Sequence, residues 1–159
     1  MPPNLEPQTK RHHFVVAFNV FPAALPAEWP QNYTPLEVRV LYGATGTGKT
    51  ARAMALTQRA YKWGPHNGAW FDGYSGQSDL ILDEYRGQLE YGFLLTMLDK
   101  YPYRLQVKGG MMESRIKRVI ITSPMHPRDW YPNLTGVDSW ESGQLRRRIT
   151  SIEECTISV

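Results

Sequence analysis

The chain has 159 residues, 42% hydrophobic and 21% charged, enough apolar material for one packed domain and too much for a disordered segment. A net charge of +3 is compatible with an anionic partner and too small to establish one. A single cysteine, Cys155, excludes an intramolecular disulfide and a thiolate metal cluster; His12, His13, His66 and His126 lack a compact metal spacing; and no apolar run approaches a membrane span.

Residues 1–35 hold Pro2, Pro3, Pro7, Pro22, Pro26, Pro30 and Pro35, so no long helix fits there. They read as a proline-rich arm or linker, with His13–Val20 as one short strand. From Leu36 to Tyr42 apolar and polar residues alternate as in a half-buried strand, and Lys49 to Tyr61 reads as a helix. Between them lies Gly43-Ala44-Thr45-Gly46-Thr47-Gly48-Lys49-Thr50. The phosphates of a nucleotide must be met by several backbone N–H groups at once, which requires glycines where side chains would obstruct the approach. Gly43, Gly46 and Gly48 supply that freedom, with Thr47 in the same cradle. Lys49 can reach the outer phosphate oxygens, and the Thr50 hydroxyl can serve Mg²⁺. The pattern arises by chance in on the order of 1% of chains this long, and the flanking strand and helix are the context it needs.

Further along, Ala69-Trp70-Phe71 reads as a short strand. Asp79 to Glu84 is an apolar run ending in two carboxylates, the profile of a buried central strand whose C-terminal end meets solvent, where open α/β sheets bind ligands. A helical stripe of Leu89, Phe93, Leu94, Met97 and Leu98 marks a core-facing helix within Gly87–Lys100. Tyr103–Val107 alternates like a strand before Lys108-Gly109-Gly110, and Arg118–Ser123 is another buried strand closed by Pro124. After Gln144–Ile149 comes a β-like tail. Strands alternating with helices place the chain in the α/β class.

Three clusters narrow the chemistry. An Asp at the end of an apolar strand, Asp83, can hold the water shell of Mg²⁺, while the neighbouring Glu84 can polarise a water for attack on a phosphate, which favours hydrolysis over phosphoryl transfer to an alcohol. Lys108 at a hairpin tip, beside the diglycine and near Arg104, can grip a nucleic-acid backbone, although charge on strands flanking a turn is often only a solvated face. Arg146, Arg147 and Arg148 either cap a solvated helix end or place an arginine on a phosphate bound by a neighbouring subunit.

The order of these motifs resembles the superfamily 3 helicase domain of replication-associated (Rep) proteins of circular single-stranded DNA viruses such as circoviruses. The matching segments are "GATGTGKT" (Walker A), "LILDEY" (Walker B), "YPYRLQVKGG" (the B′ segment and its hairpin), "VIITSP" (motif C) and "QLRRRIT" (the arginine-finger region). They span about residues 36–150, leaving 151–159 as a C-terminal tail. The resemblance implies an AAA+-like P-loop NTPase fold with a mostly parallel central sheet flanked by helices. It also implies an ATP- and Mg²⁺-dependent helicase that forms a homo-oligomer, a hexamer in the family, and acts on DNA during rolling-circle replication in the host cell nucleus. Carried over by position, Lys49 and Thr50 bind phosphates and Mg²⁺, Asp83 orders Mg²⁺, Glu84 activates water, and Lys108, with Gly109 and Arg104, contacts DNA. Arg147 is the first choice for the finger and Arg148 the second. Motif C in the family often ends in an Asn sensor of the γ-phosphate; Pro124 follows Ser123 here, so Thr122 or Ser123 is expected to substitute. No Tyr has a Lys three residues on and no His-hydrophobe-His motif occurs, so the Rep endonuclease is expected to be missing.

Three other readings remain open. A picornavirus-like RNA helicase differs in polymer, which backbone contacts do not distinguish. A small-metabolite kinase is disfavoured by the basic hairpin. A non-hydrolysing remnant that binds ATP and nucleic acid remains compatible with Pro124.

Overall fold

The computed structural model describes residues 36–157; the proline-rich residues 1–35, with the expected strand His13–Val20, lie outside them. Five strands form one sheet: β1 (Glu37–Tyr42), β2 (Ala60–Trp63), β3 (Asp79–Leu82), β6 (Arg118–Ser123) and β7 (Ser151–Glu154). Their order is β2-β3-β6-β1-β7, with every neighbouring pair parallel. A separate antiparallel hairpin joins β4 (Arg104–Val107) to β5 (Gly110–Glu113). The helices are α1 (Lys49–Ala55), α2 (Tyr91–Met97) and α3 (Gln144–Arg148). The architecture is thus the expected α/β sheet flanked by helices. Among the described residues no helix is long and apolar enough to cross a membrane.

Because side chains alternate across a strand, the sheet has two different faces. On one, Leu41, Ile81 and Ile120 meet Ala53 of α1 and Cys155 in a small cluster. On the other, Val38, Val40, Leu80, Leu82, Val119 and Ile121 pack beneath Trp63, Phe71, Tyr74, Tyr85 and Trp130. The rings there meet edge-on, with centroids 4.8 Å apart for Tyr85 and Trp130 and 5.7 Å for Tyr61 and Tyr74, a geometry that adds to their burial.

Several boundaries move from the sequence expectation. The helix from Lys49 stops at Ala55 rather than Tyr61: the Thr57 hydroxyl donates to the carbonyls of Ala53 and Met54, and Ala60–Trp63 is drawn into the sheet as the partner of β3. Ala69-Trp70-Phe71 forms no strand. The short 3₁₀ turn Pro65–Asn67 and Gly68 at φ 56° bend the chain there, and Phe71 N–H makes a single bond to the Gln106 carbonyl of β4. In Gly87–Lys100 the helix begins only at Tyr91, where the Glu90 carboxylate accepts from Gly92 and Phe93 N–H and caps it. The upstream Gly87, at φ 87°, lies so close to the Trp130 carbonyl that a Cβ would sit 2.2 Å from that oxygen. Ser151–Glu154, set apart above as part of a tail, is the edge strand beside β1.

Candidate functional site

Parallel strands bring the C-terminal ends of β1, β3 and β6 to one edge of the sheet, with β6 between the other two. The glycine-rich loop leaves β1 there and Asp83-Glu84 leaves β3. Gly43 donates its N–H to the Ser123 carbonyl at 3.1 Å and adopts φ 145°, with its missing Cβ replaced by the Cys155 carbonyl: a built Cβ would lie 2.3 Å from that oxygen. No other residue type fits there. Inside the loop the Lys49 ammonium is buried, donating at 2.8 Å to the carbonyls of Gly43 and Ala44, with Thr47 Oγ1 at 3.4 Å. These weak neutral acceptors are ones that phosphate oxygens can replace with stronger, charge-assisted bonds.

Beside the loop stands Asp83. Its Oδ1 accepts from the Thr50 hydroxyl at 2.7 Å and from the Thr122 hydroxyl at 2.8 Å, and its Oδ2 lies 3.0 Å from the Lys62 ammonium. Burial pushes the Asp83 carboxyl up, but the bonds from Thr50, Lys62 and Thr122 and the Lys62 charge outweigh it, holding the group below the ordinary carboxylate range. Thr122 also uses its hydroxyl to accept Glu84 N–H at 3.0 Å, and its carbonyl accepts Tyr85 N–H at 2.8 Å. Glu84 is held at φ 54°, the one positive value at a non-glycine among the described residues. Backbone strain of this kind costs on the order of 1 kcal/mol and persists where surroundings over-determine it, as the Thr122 bonds do here. The Glu84 carboxylate is half-buried, 3.6 Å from Arg86.

This donor set fits Mg²⁺. Among the described residues no three His, Cys, Asp or Glu side chains form a metal-holding group, but a hydroxyl and a carboxylate in contact beside the glycine loop are what a hard cation needs when phosphates supply further oxygens.

The two motif C candidates part company. Thr122 faces the loop with Asp83, whereas Ser123 turns to the opposite face, where its Oγ accepts from Trp130 Nε1 at 2.9 Å and from Met125 N–H at 3.1 Å. The hairpin residues stand on their own sheet. Lys108 N–H donates to Asp72 at 2.6 Å, which pins the tip, while its side chain is 87% exposed and its ammonium lies 3.8 Å from Asp72. Gly109 turns the tip at φ 87°, and Arg104 is exposed at the start of β4. In α3, Arg148 donates to the Gln144 carbonyl and to Asp99, both at about 2.8–2.9 Å, whereas exposed Arg147 donates Nε only to Gly143 within its own turn.

Lys62 was missed in the sequence. Its signal was the alternation Ala60-Tyr61-Lys62-Trp63, which puts the lysine on the face opposite two buried aromatics. The role of Cys155 carried no signal, because what confines Gly43 is its backbone carbonyl, a group every residue has.

A family model described as RNA helicase matches residues 39–125, more than half of the chain. The chain belongs to that family. It is a superfamily 3 helicase domain of the Rep type. The replication-associated protein of goose circovirus is 44% identical over 95 residues, covering 60% of this chain and 32% of that protein. That of beak and feather disease virus is 41% identical over 95 residues, 60% of this chain and 32% of the relative. That of porcine circovirus 2 is 35% identical over 127 residues, 79% of this chain and 38% of the relative. The helicase domain thus spans about a third of the length of these curated relatives.

Proposed function

We propose that this domain is an ATP hydrolase that drives movement along nucleic acid, DNA in preference, during replication of a viral genome in the host cell nucleus. The observation that carries this reading is the buried Lys49 ammonium inside a glycine loop, directly beside the Thr50–Asp83–Thr122 hydroxyl-carboxylate group. Lys49 and the loop N–H groups of Gly46 and Gly48 hold the phosphates. Thr50 and Asp83 would hold Mg²⁺, which would supply charge neutralisation at the reacting phosphoryl group. Glu84, whose backbone is fixed by Thr122, is the residue that orients and deprotonates the attacking water in this reading. Thr122 touches Asp83 and Glu84 together, so it is the better candidate for sensing the site; the Ser123 hydroxyl is committed to Trp130.

Arg147 is exposed and is the finger in this proposal, acting on the nucleotide of a neighbouring copy, while Arg148 holds α3 to Asp99. A hydrolase built this way is a homo-oligomer, and its turnover per subunit rises with concentration. The hairpin, with Lys108, Gly109 and Arg104, meets the polymer backbone.

Steady-state ATP hydrolysis measured across protein concentrations, with and without single-stranded DNA, tests the reading. Turnover should rise with DNA, grow faster than linearly with concentration and vanish in Lys49→Ala. Nucleotide binding without turnover at any concentration overturns the hydrolase in favour of a nucleotide-holding module. The family model's description favours a second polymer, RNA. Unwinding of matched DNA and RNA duplexes separates the two, and a clear RNA preference would reverse the assignment.

A further inference from the structure

Both oxygens of Asp83 are already engaged: Oδ1 by two hydroxyls, and Oδ2 by the Lys62 ammonium at 3.0 Å. The contact follows from the pleat. In β2, Tyr61 and Trp63 bury themselves on the aromatic face, so Lys62 must project from the α1 face. Its register partner is Ile81, on that same face, and Asp83 lies two residues beyond Ile81, with its N–H bonded to the Trp63 carbonyl at 2.8 Å. Register thus carries the lysine to the carboxylate. The Asp83 side chain is only 12% exposed, and a carboxylate that dry needs a nearby cation or it destabilises the fold.

We propose that Lys62 is the resident counter-ion of Asp83, positioning the carboxylate before nucleotide binds and giving way to the divalent cation that arrives with the nucleotide. This rests on the nucleotide-binding reading above and adds to it a residue that sets how much divalent cation the site requires. The ammonium at Oδ2 and an incoming divalent cation would compete for the charge of one carboxylate. Lys62 is half-exposed at the end of a long, flexible stem, so it can swing into solvent at little cost. Thr50 and Thr122 stay on Oδ1 and keep the carboxylate oriented during the exchange.

The test uses an N-methylanthraniloyl-ADP fluorescence titration with MgCl₂ at fixed protein, for wild type, Lys62→Met and Lys62→Arg, beside thermal melts without nucleotide. Lys62→Met should reach half-saturation at about two- to fivefold lower Mg²⁺, the scale set by a partly exposed ion pair, and should melt lower than wild type when nucleotide is absent. Lys62→Arg, which keeps a cation in reach, should stay close to wild type in both. Should Lys62→Met not fold, Lys62→Gln carries the same comparison. Coincident Mg²⁺ curves, or a variant needing more Mg²⁺ than wild type, would overturn the counter-ion role while leaving nucleotide binding intact. Failure of wild type itself to bind the fluorescent nucleotide at any Mg²⁺ concentration would remove the nucleotide-binding reading, and this proposal with it.

Discussion

The two faces of the sheet are built from the same strands and behave as different materials. The α1 face holds a small apolar cluster that gives way, at the strand ends, to a polar group of Lys49, Thr50, Lys62, Asp83 and Thr122. The opposite face is a broad aromatic layer around Trp63, Phe71, Tyr85 and Trp130. Most of the buried apolar residues lie on that face, so the polar group can sit on the thinner side without holding the domain together. Substitutions should therefore separate: those on the aromatic face lower stability, and those at the polar group change binding and turnover in a protein that still folds.

The largest effect expected is on the aromatic face. Trp63 is fully buried and donates Nε1–H to the Gly68 carbonyl at 3.0 Å, so Trp63→Ala should cost about 3–5 kcal/mol in a denaturant titration. A loss under about 1 kcal/mol would refute the division of labour. Next comes Lys49→Ala, expected to lower ATP turnover by about 10²-fold or more while moving the denaturation midpoint little, since the ammonium's partners are the loop's own carbonyls. A variant that unfolds would show that the loop is part of the stabilising core after all.

Trp130→Phe sharpens the comparison at the one place where the faces meet through motif C. It keeps a ring against Tyr85 but removes the donor to Ser123, and should cost about 1 kcal/mol with turnover preserved. A selective loss of turnover would show that Ser123 reports to the site. Smallest of all is the cap of α2. Bonds from Gly92 N–H and then Phe93 N–H hold the Glu90 carboxyl below its ordinary range. A depressed carboxyl contributes stability that is present above its unfolded pKa and lost as pH falls through the folded value. The melting difference between wild type and Glu90→Gln should therefore be present at neutral pH and close on acidification. A difference that widened in acid would reverse the sign.

How far the sequence reaches depends on what each element answers to. β1, β3 and β6 were legible because a buried strand writes its pattern in consecutive residues, and the turn between β1 and α1 because its glycines fall at fixed spacing between a strand pattern and a helix pattern. β2 was obscured because its identity comes from pairing with β3 rather than from local preference, and that cost the recognition of Lys62. Thr122 and Ser123 were equivalent neighbours on paper; the pleat assigns one to each face. For Arg147 and Arg148 the difference lies in Asp99, a partner distant in sequence that no spacing rule reveals.

Gly43 and Cys155 carry a consequence for how the domain comes into being. The glycine loop is synthesised well before the wall that confines Gly43, which is the backbone just beyond β7. Domains acquire their native contacts as units, so a nascent chain has the loop's residues well before it has the loop's shape. The closed form of the loop should accordingly arrive only with β7, so that a nascent chain lacking it keeps the glycine loop open.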